Sequence, residues 1–300
     1  MAGTPLTMDK ILEFPSISDV QLRPDGCSFA FVAADNFTSL TGSCQRFSRS
    51  SIWLCSTTPR SIPRRLTYGA REDSLPRWSP DGRSLAFLSD RGSQTGQRQL
   101  MLLEGVRLPS DDSASADGDG DGDGATALTD LRGDIPTPRG LNAVQWIPDG
   151  LAIIFLLEET LCRNNTAAAE PNIGDDAIEY EKAPAFVRLM RVDLRTNHVS
   201  VVSPRAAGQI WEFASAPNGE IAAVVSPLPF EHSWYECRLV VFAAPSEPAD
   251  NGSNSATEPT APVRELANPM RPVSADYPAQ SRQVAQPQWS PDGTQIAFIW

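Results

Sequence analysis

The chain has 300 residues, 41% hydrophobic and 8% aromatic, enough to bury the core of one large domain or two ordinary ones. Lys and Arg number 25 against 37 Asp and Glu, a formal charge of -12. Nucleic acid and anionic membrane surfaces demand clustered positive charge, so neither is expected as a partner, and no stretch approaches the ~18 apolar residues of a membrane span.

Residues 1–10 lack a basic segment followed by an apolar run, so no secretory leader is expected. Residues 1–15 read as an N-terminal extension, with a short helix expected over 8–14. The cysteines are Cys27, Cys44, Cys55, Cys162 and Cys237, an odd and scattered set that reads as reduced thiols in a cytoplasmic protein. Sequons beginning at Asn36, Asn164 and Asn251 then read as chance matches.

An internal repeat dominates the rest. Its copies are Val20-Gln-Leu-Arg-Pro-Asp-Gly26, Pro76-Arg-Trp-Ser-Pro-Asp-Gly82, Val144-Gln-Trp-Ile-Pro-Asp-Gly150, Phe213-Ala-Ser-Ala-Pro-Asn-Gly219 and Pro287-Gln-Trp-Ser-Pro-Asp-Gly293. Proline presets φ for the first central position of a turn, Asp or Asn bonds its own backbone, and glycine takes a left-handed position. Four copies run into a similar strand, at Phe29-Ala-Phe31, Leu85-Ala-Phe87, Ile153-Ile-Phe155 and Ile296-Ala-Phe298. Trp78, Trp146 and Trp289 stand four residues before the glycine, with Leu22 as their equivalent, and are expected on a buried face. The fourth copy has Ser215 there and is the weakest, with Phe213 available to fill the same face.

Each hairpin is followed by a second strand pair. The expected pairs are 51–55 with 64–67, 98–103 with 127–129, 188–193 with 198–202, and 238–242 with 263–266. The fold expected is therefore all-β: a β-propeller of four-stranded antiparallel blades, about four and a half of them, in an unfinished ring. Blades are placed at 16–69, 74–130, 141–203 and 211–266, with the start of a fifth at 287–300. A β-sandwich also uses short strands, but has no reason to repeat one turn at one offset five times. Polar stretches at 110–125, 160–181 and 245–262 read as mobile insertions, because none can bury enough apolar area to order itself. The last repeat stops inside its second strand, which reads as the front part of a longer protein.

No catalytic, cofactor-binding or metal-binding residue is assigned. The nucleophile-elbow pattern Gly-x-Ser-x-Gly is absent; Gly92/Gly96, Gly118/Gly122 and Gly120/Gly124 enclose Gln94, Gly120 and Gly122. His198 lies in an Arg-Thr-Asn-His turn. His232 and Cys237 are five apart, with no second pair at ligand spacing. Asp119, Asp121, Asp123, Gly124 and Asp130 match a calcium-loop template, but any Asp-Gly run does so, and the flanks do not support its two helices. Glu158 and Glu159 are adjacent on a strand and so point to opposite faces.

The chain resembles the N-terminal propeller of the prolyl oligopeptidase family of serine peptidases, in its acylaminoacyl peptidase-like or dipeptidyl peptidase-like branch. The resemblance rests on Ile17-Ser-Asp-Val-Gln-Leu-Arg-Pro-Asp-Gly26, Ser50-Ser-Ile-Trp-Leu54, Pro63-Arg-Arg-Leu-Thr67 and the run from Asp73 to Arg91. It is strong over residues 6–103, looser to 202, and returns at 288–298. It implies an α/β-hydrolase domain with a Ser-Asp-His triad after the propeller, which caps the active site and restricts entry to short peptides. The partners implied are those peptides, together with a homo-oligomer of the parent enzyme. None of the triad positions lies in this chain, so no residue is carried over. The Ser-Pro-Asp-Gly hairpin is shared with TolB-like propellers, which keeps open a stand-alone protein-interaction scaffold. A catalytic propeller with paired carboxylates around its channel, such as a glycosidase, is a third class.

Overall fold

The computed structural model describes residues 15–34, 50–68, 72–91, 97–107, 124–131, 133–136, 143–159, 185–244, 259–269 and 283–300. The first sheet is β1 (Ser16–Leu22), β2 (Ser28–Ala34), β3 (Ser50–Ser56) and β4 (Arg64–Arg65), paired in that order. The second repeats the order with β5 (Asp73–Trp78), β6 (Leu85–Ser89), β7 (Gln99–Leu103) and β8 (Thr126–Ala127). In the third, β10 (Val144–Trp146), β11 (Ala152–Glu159), β12 (Val187–Asp193) and β13 (Val199–Val201) pair in that order, and β9 (Gly133–Asp134) pairs with the end of β11. The fourth is β14 (Gln209–Ser215), β15 (Glu220–Ser226), β16 (Arg238–Ala243) and β17 (Arg264–Ala267). A hairpin of β18 (Ala285–Trp289) and β19 (Ile296–Ile299) completes the described strands.

Apart from β9, consecutive strands within a sheet pair with their sequence neighbours, so each sheet is a meander wound from one segment of chain. This is an all-β fold of β-propeller blades, as the repeat predicts. The central strands read as unbroken apolar runs because both faces are covered. β6 and β7 are buried at every residue, and Phe87 and Phe155 are fully enclosed. The expected strand pairs fall on β3/β4, β7/β8, β12/β13 and β16/β17. The helix expected over 8–14, the 160–181 insertion and most of 110–125 and 245–262 lie outside the described residues. So do Cys44, Cys162, the three sequons and Asp119, Asp121 and Asp123.

The repeated turn is built as its residues dictate. In all five copies the glycine amide donates to the residue three before it: Gly26 to Arg23, Gly82 to Ser79, Gly150 to Ile147, Gly219 to Ala216 and Gly293 to Ser290. All five glycines have φ between 68° and 85°. The acid or amide accepts from the amide two residues on, at 2.8–3.0 Å for Asp25, Asp81, Asp149 and Asn218 and 3.1 Å for Asp292. Where serine precedes the proline, its hydroxyl adds a second tie, with Ser79 donating to Asp81 and Ser290 to Asp292 at 2.6 Å. The fourth copy differs in length. Its hairpin closes from Ala216 to Glu220, whereas the others close over one more residue, as in Ser79 to Ser84. This one-residue deletion is why the strand after the turn does not align with the other four.

The chain falls into two compact units, Met1–Leu131 with Trp146–Ile153 and Val192–His198, and Arg132–Gln145 with Ile154–Arg191 and Val199–Trp300. Within the first, β5 packs across β1, β2 and β3, and Ala30, Ile52 and Leu54 of one blade share a core with Trp78, Phe87 and Met101 of the next. Within the second, β18 packs on β14 and β15, and Val284 joins Val224, Cys237 and Leu239. First strands also carry a bulge. Asp19, Leu75 and Gln286, each seven residues before a turn glycine, have φ of 49°, 55° and 52°, and pairing shifts beside each. Leu75 is the costly case, an apolar residue 4% exposed in a left-handed conformation.

The blade-core expectation for the residue four before the glycine needs one correction. Trp78 is 8% exposed and Trp146 and Trp289 are half-buried, but Leu22 is 61% exposed. No described sheet precedes the first blade to cover it.

Candidate functional site

The tryptophans do more than fill space. The Trp78 indole nitrogen donates to the Gln21 carbonyl at 3.2 Å, Trp146 to Arg77 at 2.9 Å, and Trp289 to Ala214 at 3.0 Å. Every acceptor stands five residues before a turn glycine and every donor four before the next, so one bond recurs between neighbouring blades. Where the tryptophan is replaced by Ser215, the residue five before Gly150 takes over. Gln145 accepts from the Ser215 amide and hydroxyl, each at 3.0 Å, and donates to the Phe213 carbonyl at 2.9 Å. Phe213 itself is fully buried, as expected.

Beside these bonds, ionisable groups gather on the bulged first strands. In the first unit Arg77 is buried and donates to the Pro76 carbonyl at 2.8 Å. Burial lowers its pKa from the ordinary arginine value, and the Asp19 charge works in the opposite direction. In the second unit the Glu212 carboxylate accepts from the Gln286 amide. Burial raises its pKa above the ordinary Glu value, and that bond opposes the rise. Cys237, 1% exposed, is pushed up to about 12 by burial first and by Glu212 second. Trp211 and Trp234 meet edge-on at 5.1 Å, and Trp211 donates to the Ser226 hydroxyl at 2.8 Å.

This cluster can hold a proton on Glu212 or lose it, and can tie two first strands together. It offers no activated nucleophile, because a thiol held near 12 stays protonated at neutral pH. His232 is exposed and stacks on Phe230 at 5.7 Å. His198 is exposed in a turn closed by the Asp193 amide donating to its carbonyl at 3.0 Å. Glu158 is exposed, and its backbone pairs with Asp134. Among the described residues, no group of three His, Cys, Asp or Glu could hold a metal ion. No helix there is long and apolar enough to cross a membrane.

Sequence reasoning missed the indole-to-carbonyl bonds and the Glu212–Gln286 tie. The first left no clear signal, since Gln21 stands at the same place as Gln145 although Trp78 keeps its indole across that junction. The second left none, because nothing in the sequence aligns residue 212 with residue 286.

Comparison with known proteins follows this geometry. No family model matches the chain. It is 33% identical over 156 residues to the uncharacterized peptidase YuxL of Bacillus subtilis, a match covering 50% of this chain and 18% of that protein. Among solved structures it is similar to TolB from Acinetobacter baumannii, with 13% identity, 94% of this chain and 46% of that one covered, and a TM-score of 0.45. It is also similar to the acylaminoacyl peptidase of Pyrococcus horikoshii, with 12% identity, 93% and 42% covered, and a TM-score of 0.45. The chain spans less than half of each of these proteins.

Proposed function

We propose that this chain is the non-catalytic propeller domain of a serine-type oligopeptidase or acylaminoacyl peptidase of the cytoplasm. It covers an active site carried by an α/β-hydrolase domain elsewhere in the parent protein, and admits short peptides. The observation that carries the reading is the peptidase relative at 33% identity over half of the chain. The blade architecture supports it without adding specificity, because a fold hosts many functions. The four-stranded sheets of the described residues are compatible with a covering role.

The test is made on two proteins, residues 1–300 and the full product of the gene. The full product should react with a serine-directed fluorophosphonate and release chromophore from acyl-amino acid or dipeptidyl substrates. Residues 1–300 should do neither. Labelling of residues 1–300 overturns the assignment of catalysis to another domain. A full product that contains no Gly-x-Ser-x-Gly segment and resists the probe overturns the peptidase reading and leaves a scaffold.

A further inference from the structure

The connection between β3 and β4 breaks a local rule of its own turn. The Ser61 amide donates to the Thr58 carbonyl at 3.2 Å, closing a turn with Pro59 and Arg60 at its centre. Proline cannot take a positive φ, so the φ of 68° at Arg60 makes this a type II turn. Glycine or asparagine suits that place, and an arginine there strains the backbone. No acid holds the side chain in position. Arg60 is exposed and forms no ion pair with a described residue.

Three hydroxyls line the same turn, and two of them are committed to backbone. Thr57 donates to the Gly26 carbonyl at 3.0 Å, and Ser61 donates to the carbonyls of Ser56 and Thr58. Thr58 is exposed, and its hydroxyl meets the Ser56 hydroxyl at 2.9 Å, with no backbone partner among the described residues. The other described hydroxyls that precede a proline are enclosed or tied. Ser79, Ser203 and Ser226 are at most 4% exposed. Ser290 is half-buried, with its hydroxyl on Asp292 at 2.6 Å.

We infer that Thr58 is a phosphorylation site for a proline-directed serine/threonine kinase, with Arg60 placed to receive the phosphate. A kinase pocket can select proline after the acceptor because proline has no N–H to leave unsatisfied. Proline also biases the residue before it to extended backbone, which offers the Thr58 hydroxyl outward. In the step, Thr58 Oγ1 forms a bond to the γ-phosphorus of a nucleoside triphosphate. The bond from that phosphorus to its bridging oxygen breaks, the nucleoside diphosphate leaves, and the hydroxyl proton passes to the kinase's carboxylate base. The product places a phosphate two residues from a guanidinium without an ion pair, where charge-assisted hydrogen bonds can form. The next arginine, Arg64, already donates to the Arg107 carbonyl at 2.9 Å. The site stands whether or not the parent hydrolyses peptides.

The test incubates the full product of the gene with a proline-directed kinase and magnesium ATP, beside a peptide of residues 52–66, and maps phosphate by mass spectrometry. The folded protein should carry phosphate on Thr58, at a rate within about threefold of the peptide, and Thr58→Ala should lose it. A folded protein that stays unlabelled overturns the inference, whether or not the peptide reacts. Phosphate on Thr57 or Ser61 with Thr58 bare also overturns it. The receiving role is read by 31P NMR of the phosphorylated protein. The second ionisation of the phosphate, ordinarily at about pH 6, should fall by about half a unit beside Arg60 and recover in Arg60→Gln. Equal titration in the two proteins overturns the role given to Arg60.

Discussion

Two kinds of junction join neighbouring blades, and they reach one result by different chemistry. Where an indole is present, a large ring fills the gap and its N–H satisfies a first-strand carbonyl. Between Gln145 and Ser215 a long amide reaches the opposite way and satisfies three backbone and hydroxyl groups with little apolar volume. The bulged first strand fixes where polar backbone groups meet between sheets, and whichever side chain can satisfy them will serve. Satisfaction is obligatory because an unpaired buried backbone group costs more than the bond itself contributes.

The comparison is broken most severely at Trp78. Trp78→Ala removes both ring and donor from the core shared by the first two blades, and should cost about 3–5 kcal/mol in a urea titration. Trp146→Ala, at a half-buried ring, should cost less. An equal loss would mean that the bond and not the volume carries the junction. Next comes Gly82→Ala, about 2 kcal/mol. Its φ of 68° disfavours a side chain, and the new methyl would stand 2.9 Å from the Arg23 Nε. Gly26 has a similar φ but nothing within 4 Å, so Gly26→Ala should cost about 1 kcal/mol, and the gap between the two measures blade-to-blade contact at the turn.

Gln145→Ala should cost about 1–2 kcal/mol, because it strands the Ser215 amide and the Phe213 carbonyl while removing little apolar area. A loss as large as that of Trp78→Ala would erase the distinction between the two junction types. The smallest effect is at Glu212. Its folded-state pKa is raised, so the stability it contributes is fully present below the ordinary Glu range and is lost as pH rises through the raised value. Glu212→Gln should therefore raise Tm slightly at pH 7, within about 0.5 kcal/mol, with no difference below pH ~4. The turn acids have the opposite sign. Asp81 is lowered chiefly by the Ser79 hydroxyl and Asp292 by the Ser290 hydroxyl, so their contributions are present above the ordinary Asp range and are lost as pH falls through the lowered values. Thermal melts from pH 3 to 8 on each variant separate the two.

Much of this architecture is legible in residues because the turn is local. Pro, Asp and Gly act within four positions, and the strands beside them carry their own apolar pattern. The Ser-Pro-Asp-Gly form even announces its extra bond, since Ser79 and Ser290 reach an acid two residues away. What a blade meets across a junction is non-local, and there the sequence spoke unevenly. Leu22 sits at an indole position, which predicts a core residue, yet burial depends on a neighbour that residue type cannot reveal. The left-handed conformations of Leu75 and Gln286 also went unread, because a bulge is set by pairing with the next strand and not by these side chains. The candidate site was least legible of all. Glu212 owes its raised pKa to burial, and the bond that opposes the rise comes from Gln286, 74 residues later.

The most direct test of the repeated junction is hydrogen exchange at the seven indole nitrogens, read by 15N NMR and assigned by single Trp→Phe variants. The Nε1–H groups of Trp78, Trp146 and Trp289 should exchange far more slowly than that of Trp300, which is 41% exposed. Exchange of all three at the Trp300 rate would show that no such bond joins the blades.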